Sequence, residues 1–303
     1  MNEFELIERY FRRPHGRPDV PLGIGDDAAL LQSPPGHELA MTTDTMVEAV
    51  HFPAGAPPHA VGFRALATNL SDLAAMGATP AWTTLALTLP EADEVWLGDF
   101  AAGFFELADA FDVALVGGDV TRGPLTITIG ACGIVPAGKA MRRSGAQSGD
   151  RIFVTGALGE AAAGLKSYSR ESSDRNRFLY PQPRVAEGTA LREYASAAID
   201  ISDGLLADLG HLIEASGVGA DLQLERIPAA AGADPQLALT GGDDYELCFT
   251  VPSTKVDALR AAWRDDWAPI HDIGSIADER GVRCIAPDGT LWHADTAGYQ
   301  HFQ

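Results

Sequence analysis

"WTTLALTLPEADEVWLGDFAAGFFELADAFDVALVGGD", residues 82–119, decides the fold class. Residues 82–90 are rich in Thr and Leu and read as a strand; residues 95–111 carry helical periodicity; residues 112–119 return to a strand. Strand, helix and strand in immediate succession is an α/β pattern. Working outward, "ELAMTTD" (38–44) and "LTITIGACGIVP" (125–136) read as further strands, and "HAVGFRALATNLSDLAAMGA" (59–78) as a helix. The opening "MNEFELIERYFRR" reads as an amphipathic helix with Phe4, Ile7 and Phe11 on one side.

A polar, glycine-containing segment, "PAGKAMRRSGAQSGD" (136–150), precedes the strand "RIFVTG" (151–156). The domain boundary is placed there, giving domains 1–137 and 138–303. Past the small-residue stretch 156–165, the polar segment 166–184 reads as an exposed connection. The chain resumes with "AAIDISDGLLADLGHLIEASG" (197–217), "YELCFTVP" (245–252), "TKVDALRAAW" (254–263) and a hairpin-like "VRCIAPDGTLW" (282–292). Both halves set an acid cluster beside an apolar strand, so two similar α/β units are expected.

Composition narrows the function. The 303 residues are 46% hydrophobic and 21% charged, which suits one large or two ordinary globular domains. Forty-two acids against 22 Lys plus Arg leave a formal charge of -20. A surface this acidic repels nucleic acid and anionic lipid, so neither is an expected partner. It also repels polyphosphate unless divalent cations stand between phosphate and carboxylate. Cys132, Cys248 and Cys284 are scattered, with no zinc-like spacing, and point to a reducing compartment. With no signal-peptide core and no run long enough to span a bilayer, a cytoplasmic location is expected.

Within "LGIGDDAALL" (22–31), Asp26 and Asp27 put two like charges side by side just before an apolar run. They belong to a recurring theme of acids where apolar strands meet turns or helices: Asp44, Asp119, Asp200, Asp203, Asp243 and Asp244, joined by Asp72 on a helix. Ligands collect at strand ends in α/β folds, and hard cations such as Mg²⁺ bridge carboxylates to substrate phosphates. Taken singly, Asp44 or Asp203 also reads as a helix N-cap and Asp72 as an exposed helix acid. His51 reads equally as a cleft residue or a surface-loop histidine.

Other chemistries lack their signatures. No GxxxxGK[ST] loop is present, "GIGDDA" lacks the third glycine of a dinucleotide fingerprint, and "GALGEAAAG" matches one only in part. No HExxH pair or GxSxG elbow occurs. "TDTMV" has one of the two acids a covalent aspartyl phosphotransferase needs. Arg122 and Arg143, in glycine-containing loops, are the cations best placed for anionic oxygen.

Together "GIGDDAAL", "TTDTMVEAVHF", "NLSDLAAMGATPAW", "GGDVTRGP", "RSGAQSGD", "AIDISDGLLADLGH" and "GGDDYELCFTVP" resemble the thiamine-monophosphate kinase family, within the superfamily that includes aminoimidazole ribonucleotide synthetase. The resemblance runs from about residue 3 to Phe302. It implies two mixed α/β domains, the N-terminal one forming a homodimer interface. It also implies ATP-dependent phosphorylation of thiamine monophosphate to thiamine diphosphate, with several Mg²⁺ ions and a monovalent cation such as K⁺. Carried over residue by residue, Asp27, Thr42, Thr43, Asp44, Asp72, Asp119, Asp200 and Asp203 match metal-binding positions. Gly118, Asp119, Arg143 and Ser202 match ATP contacts; His51, Asp243 and Tyr299 match substrate contacts. Asp72, Asp119 and Arg143 form the implied catalytic set. Where the family often has Glu, this chain has Asp243, a side chain shorter by one methylene.

Phosphoryl transfer to an already ionised phosphate needs alignment and charge neutralisation rather than a strong base, so direct in-line transfer is expected. An enzyme resembling aminoimidazole ribonucleotide synthetase and a non-catalytic nucleotide or thiamine-phosphate binding module are the alternatives. The full aspartate set exceeds what a binding module needs.

Overall fold

The computed structural model describes residues 2–14, 16–168, 176–294 and 298. They form two compact units, one of residues 2–73 and 78–138, the other of residues 74–77, 139–168 and 176–298. The fold is mixed α/β, as expected.

The first unit opens with α1 (Glu3–Leu6), where the Asn2 side chain accepts the Glu5 N–H and the Glu5 carboxylate accepts the Asn2 N–H. This reciprocal cap fixes the helix start. The chain then widens into a π-helical turn, Ile7–Phe11. The expected amphipathic helix is therefore shorter and less regular, with Phe11 buried and Phe4 exposed. Next come β1 (His37–Val47), α2 (Pro58–Ala75), β2 (Thr79–Leu89), α3 (Glu94–Ala110), β3 (Ala114–Arg122) and β4 (Thr126–Pro136).

The four strands form one sheet in the order β1-β4-β2-β3. β2 and β3 are parallel, the other pairs antiparallel. The two-residue strand period buries Leu85, Leu87 and Leu89 of β2 while Thr84 and Ala86 stay exposed. Leu66, Leu70 and Leu73 of α2 and Leu97, Phe100 and Phe104 of α3 complete this core, each large side chain contributing about 1.5–3 kcal/mol. The two helices touch backbone to backbone: a Cβ on Gly103 would stand 1.9 Å from the His59 carbonyl oxygen, and one on Gly62 2.1 Å from that of Phe100. Any side chain at either position would force the helices apart. α3 starts where Asp93 accepts the Val95 and Trp96 N–H groups.

The second unit contains β5 (Arg151–Thr155), α4 (Glu160–Lys166), α5 (Val185–Leu191), β6 (Ala197–Asp200), α6 (Leu205–Ser216), β7 (Gly219–Gln223), α7 (Pro235–Thr240), β8 (Leu247–Val251), α8 (Val256–Ala262), β9 (Ile270–Ala277), β10 (Gly281–Ile285) and β11 (Leu291–Trp292). Its seven-stranded sheet runs β11-β10-β7-β9-β5-β8-β6. Within this sheet only β7 and β10 pair in parallel among the described strands. β10 and β11 form the expected closing hairpin.

Leu205, Leu209, Leu212 and Ile213 line one face of α6 and pack with Ile152, Val154, Ile199 and Leu222. This stripe repeats at helical spacing, so α6 is fixed along its whole length. Gly217, in the left-handed region at φ 73°, ends it.

One expectation fails here. The described part of segment 166–184 is no exposed connection: Phe178 and Leu179 are buried, and Arg177 and Arg184 bond the buried Glu246. Its polarity belongs to buried ion pairs, which composition alone does not separate from a solvated loop.

Candidate active site

β1 alternates, so Thr42, Asp44 and Met46 share one face of the first sheet and Thr43 and Thr45 the other. Thr42 Oγ1 donates to Asp72 Oδ2 at 2.5 Å, and Asp44 is hydrogen-bonded to Thr68. Thr68 and Asp72 are one turn apart on α2, about 6 Å along the axis. Thr42 and Asp44 are two residues apart on β1, about 6.6 Å. The rises match, so strand and helix present two polar pairs side by side. Thr68 was missed in the sequence, although its i, i+4 spacing from Asp72 in "TNLSD" was the available signal.

Burial pushes the Asp44 carboxyl above its usual range, while the Thr68 hydrogen bond and the nearby His51 pull it down. A cation beside it would restore the carboxylate. His51 lies in the loop after β1, where its Nδ1 accepts the Val47 N–H at 3.0 Å and its backbone N–H donates to the Val47 carbonyl at 2.9 Å. Accepting at Nδ1 leaves the proton of the neutral ring on Nε2. The side chain therefore offers a donor at that nitrogen.

The Asp26–Asp27 pair sits in a tight loop closed by the Leu30 N–H to Leu22 carbonyl bond. Asp26 Oδ1 accepts the Asp27 N–H at 2.8 Å, and both residues are exposed. Asp26 thus holds the loop, and the Asp27 carboxylate faces solvent. On β3, Gly118 has φ 148°, and a Cβ there would stand 1.9 Å from the Leu85 carbonyl oxygen. Only glycine fits, and it sets the exposed Asp119 beside Ala86 of β2.

Asp26, Asp27, Gly118 and Asp119, but not Thr42, Asp44, His51, Thr68 or Asp72, border a cavity of about 720 Å³ within the first unit, inside the usual range for ligand sites. One part of its lining is apolar, with Phe4, Ile7, Phe11, Ile24 and Leu115; the other carries Asp26, Asp27, Gly117, Gly118 and Asp119. An aromatic base and a cation-bearing phosphate chain need those two surfaces in one cleft.

Asp44 and Asp119 do not sit at strand ends. β1 continues to Val47 and β3 to Arg122, so both acids project from mid-strand. "TTD" and "GGD" look terminal because polar and glycine residues signal turns, yet here they lie within a paired ladder. Asp44 is therefore no helix cap, and Asp72, bonded to Thr42, is not a free surface acid.

In the second unit Asp200 is buried at the end of β6, followed by Ser202 and Asp203 in a turn. Gly204, not Asp203, is the N-cap residue of α6. Asp208 Oδ2 accepts three backbone N–H groups, from Ser202 (3.0 Å), Asp203 (3.0 Å) and Gly204 (3.1 Å). Asp243, at φ 71°, donates its N–H to the Ser202 carbonyl at 2.8 Å and accepts the Tyr245 hydroxyl at 3.1 Å. Ser202, Asp203 and Asp243 are thereby brought together.

Two neighbouring acids support that loop. Asp244 accepts the Gly159 and Ala161 N–H groups at 2.6 and 3.2 Å. Glu246, 1% exposed, accepts Arg177, Arg184 and the Thr155 hydroxyl. Burial pushes the Asp208 and Asp244 carboxyls up to about 7.

Arg143 is held elsewhere. Ser216 Oγ donates to its carbonyl at 3.0 Å and accepts the Gly145 and Ala146 N–H groups. Ser216 ends α6 and Asp208 lies in its first turn, about 12 Å away along the axis. The Arg143 loop and the Ser202 loop are thus anchored toward opposite ends of one helix. Tyr299 lies outside the described residues.

Among the described residues, no group of three or more His, Cys, Asp or Glu side chains forms a ready metal cage. The candidate donors are carboxylates and threonine hydroxyls, the oxygen set that suits Mg²⁺, which binds through one or two carboxylates plus waters and substrate phosphates. The donor chemistry fits that ion.

Comparison with known proteins follows the same division. The model for the N-terminal domain of AIR synthase related proteins matches residues 25–135, and that for the C-terminal domain matches residues 147–286. A thiamine-monophosphate kinase of Salmonella typhimurium is 48% identical over 319 aligned positions, covering 99% of this chain and 98% of that protein. The crystal structure of thiamine-monophosphate kinase from Stenotrophomonas maltophilia K279a is similar at a TM-score of 0.85 and 46% identity, covering 91% of this chain and 93% of that one. AaThiL complexed with AMPPCP and TMP is similar at a TM-score of 0.78 and 32% identity, covering 92% of each.

Proposed function

The chain belongs to the thiamine-monophosphate kinases of the AIR synthase related family, and we propose that it transfers the γ-phosphoryl group of ATP to the phosphate of thiamine monophosphate. The products are thiamine diphosphate and ADP. The observation that carries this reading is the cavity whose apolar lining adjoins Asp27, Gly118 and Asp119. The relative complexed with AMPPCP and TMP supports both substrates.

An oxygen of the acceptor phosphate attacks the γ-phosphorus as the bond to the β,γ-bridging oxygen breaks, and ADP leaves with that electron pair. The attacking oxygen is ionised near neutral pH, so no proton must be removed. His51, holding its proton on Nε2 through the Val47 contact, donates to the acceptor phosphate and orients it. Arg143 balances charge on the nucleotide phosphates, and Ser202 supplies a hydroxyl to them.

Asp27, Thr42, Thr43, Asp44, Asp72, Asp119, Asp200 and Asp203 would hold Mg²⁺, which when bound neutralises phosphate charge and aligns the reacting groups. K⁺ would add further positive charge at the phosphates. Asp243 and Tyr299 complete the substrate contacts.

For assembly we infer a homodimer through the open face of the first sheet. That face carries Leu39 and Met41, 46% and 78% exposed, beside the hydrogen-bonded pairs Thr45–Thr128 and Thr88–Thr121. A second copy would bury the apolar side chains and the β1 edge. No described helix is long and apolar enough to cross a membrane. The three free, buried cysteines suit the reducing cytoplasm.

The test is formation of thiamine diphosphate from ATP and thiamine monophosphate with Mg²⁺ and K⁺ present. Turnover by the wild type that collapses in Asp72→Asn supports the assignment and the ligand set together. A folded, ATP-binding wild type without turnover would overturn it.

A further inference from the structure

Asp208 makes no use of its charge in the reaction proposed above, yet it is 3% exposed and aimed at the loop that matters most in the second unit. One oxygen, Oδ2, takes three consecutive backbone N–H groups, those of Ser202, Asp203 and Gly204. Three successive N–H groups converging on a point form an anion-binding concavity. In this chain the acceptor is internal, the Asp208 carboxyl oxygen.

Further contacts hold the loop. Gly204 stands at φ 117°, and a Cβ there would lie 2.9 Å from the Thr240 backbone, so glycine is required for the turn that turns its N–H inward. The Ile201 N–H donates to the Glu246 carbonyl, and the Ser202 carbonyl accepts the Asp243 N–H. Leu205 and Leu209, on either side of Asp208, hold the start of α6 in the core, which fixes the Asp208 backbone. The acid therefore acts from a rigid helix on a loop that has only side chains left to offer.

We propose that Asp208 is a positioning residue for phosphoryl transfer, holding the 202–204 backbone so that Asp200, Ser202 and Asp203 present their side chains in one arrangement. Filling the concavity from within also decides how phosphate is met. Recognition at this loop is left to the three side chains and the cations they bind, because the backbone N–H groups at the start of α6 are already taken. The inference rests on the kinase reading, since it gives those three side chains their task.

The test compares full-length wild type, Asp208→Ala, Asp208→Asn and Leu212→Ala, the last a core change on the same helix that leaves the three N–H bonds in place. Two quantities are read: amide hydrogen exchange at residues 202–204 without ligands, and kcat with its Mg²⁺ dependence. For Asp208→Ala, loop exchange is expected to rise about 100-fold, kcat to fall by a similar factor and half-saturating Mg²⁺ to rise about fivefold or more. Asp208→Asn, which keeps a carbonyl oxygen at this place, recovers much of both. Leu212→Ala melts earlier, but its folded fraction keeps wild-type kcat and loop protection.

If Asp208→Ala does not fold, Asp208→Asn decides, because loop protection and kcat must move together. A folded variant at position 208 with unprotected 202–204 amides and wild-type kcat would overturn the proposal. So would one with full protection and lost kcat. A wild type that shows no turnover at all overturns the kinase reading instead, and the exchange data separate the two failures.

Discussion

Thr42 donates its hydroxyl proton to Asp72 across the contact between β1 and α2, at 2.5 Å. The bond fixes the carboxylate rotamer and leaves Asp72 Oδ1 directed by the same geometry. A hydroxyl-to-carboxylate bond is among the stronger kinds available to a side chain.

Thr42→Val keeps the shape of the threonine and removes the donor. The Asp72 carboxylate then loses its orientation, and kcat is expected to fall about 10- to 100-fold, equivalent to about 1.4–2.8 kcal/mol of transition-state stabilisation. Half-saturating Mg²⁺ should rise, while the melting temperature moves little because Asp72 is only half-buried. Unchanged kcat and Mg²⁺ dependence in Thr42→Val would show that Asp72 acts without this partner.

The tautomer of His51 follows from its bond to the β1 backbone. Nδ1 accepts the Val47 N–H, so Nε2 carries the donor proton in the neutral ring. His51→Ala is expected to raise the KM for thiamine monophosphate about tenfold or more, the cost of one hydrogen bond to a charged group. His51→Gln, which keeps an N–H donor, should recover part of that loss. Equal KM values for the two variants would remove the donor role from Nε2.

Much of the fold was legible because it obeys simple periods. β2 and β4 alternate buried and open residues, and α2 and α3 carry broad apolar faces between strands. β7 and β9 were not legible: Asp221 and Gln223, then His271, Asp272, Gly274 and Ser275, put polar and small residues in a sheet interior. Gly219 and Gly274 are there because neighbouring carbonyls stand 1.7 and 2.0 Å from where a Cβ would be, a constraint set by tertiary contact. α7 carried a helix start, Asp234 before Pro235, but its six residues show too little periodicity to be noticed.

The candidate site divides in the same way. Carboxylates that offer oxygen to a ligand stood out as acids near turns. Thr68, Asp208 and Ser216 did not, because each acts on another residue's side chain or backbone, and a partner distant in the chain leaves no local mark. Arg177 and Arg184 read as solvated charges until the buried Glu246 between them was located.

Two of the buried aspartates of the second unit, Asp208 and Asp244, make stability depend on pH. Burial pushes Asp208 and Asp244 up to about 7 from an ordinary value near 3.8. A raised carboxyl pKa means that the folded state binds the proton more tightly than the unfolded chain does. The contribution is therefore complete below about pH 3.8 and is lost as pH rises through about 7. Between pH 5.5 and 8 each group should lower the unfolding free energy by about 2 kcal/mol. His271, whose pKa burial lowers, works in the opposite sense over part of this range, so the absolute slope is a mixture. The informative comparison is with Asp208→Asn, which cannot ionise. Urea unfolding should show the wild type losing more stability than Asp208→Asn between pH 5.5 and 8. If the two lose the same amount, Asp208 is already ionised in the folded protein at pH 5.5, and its three N–H bonds outweigh the burial that raises it.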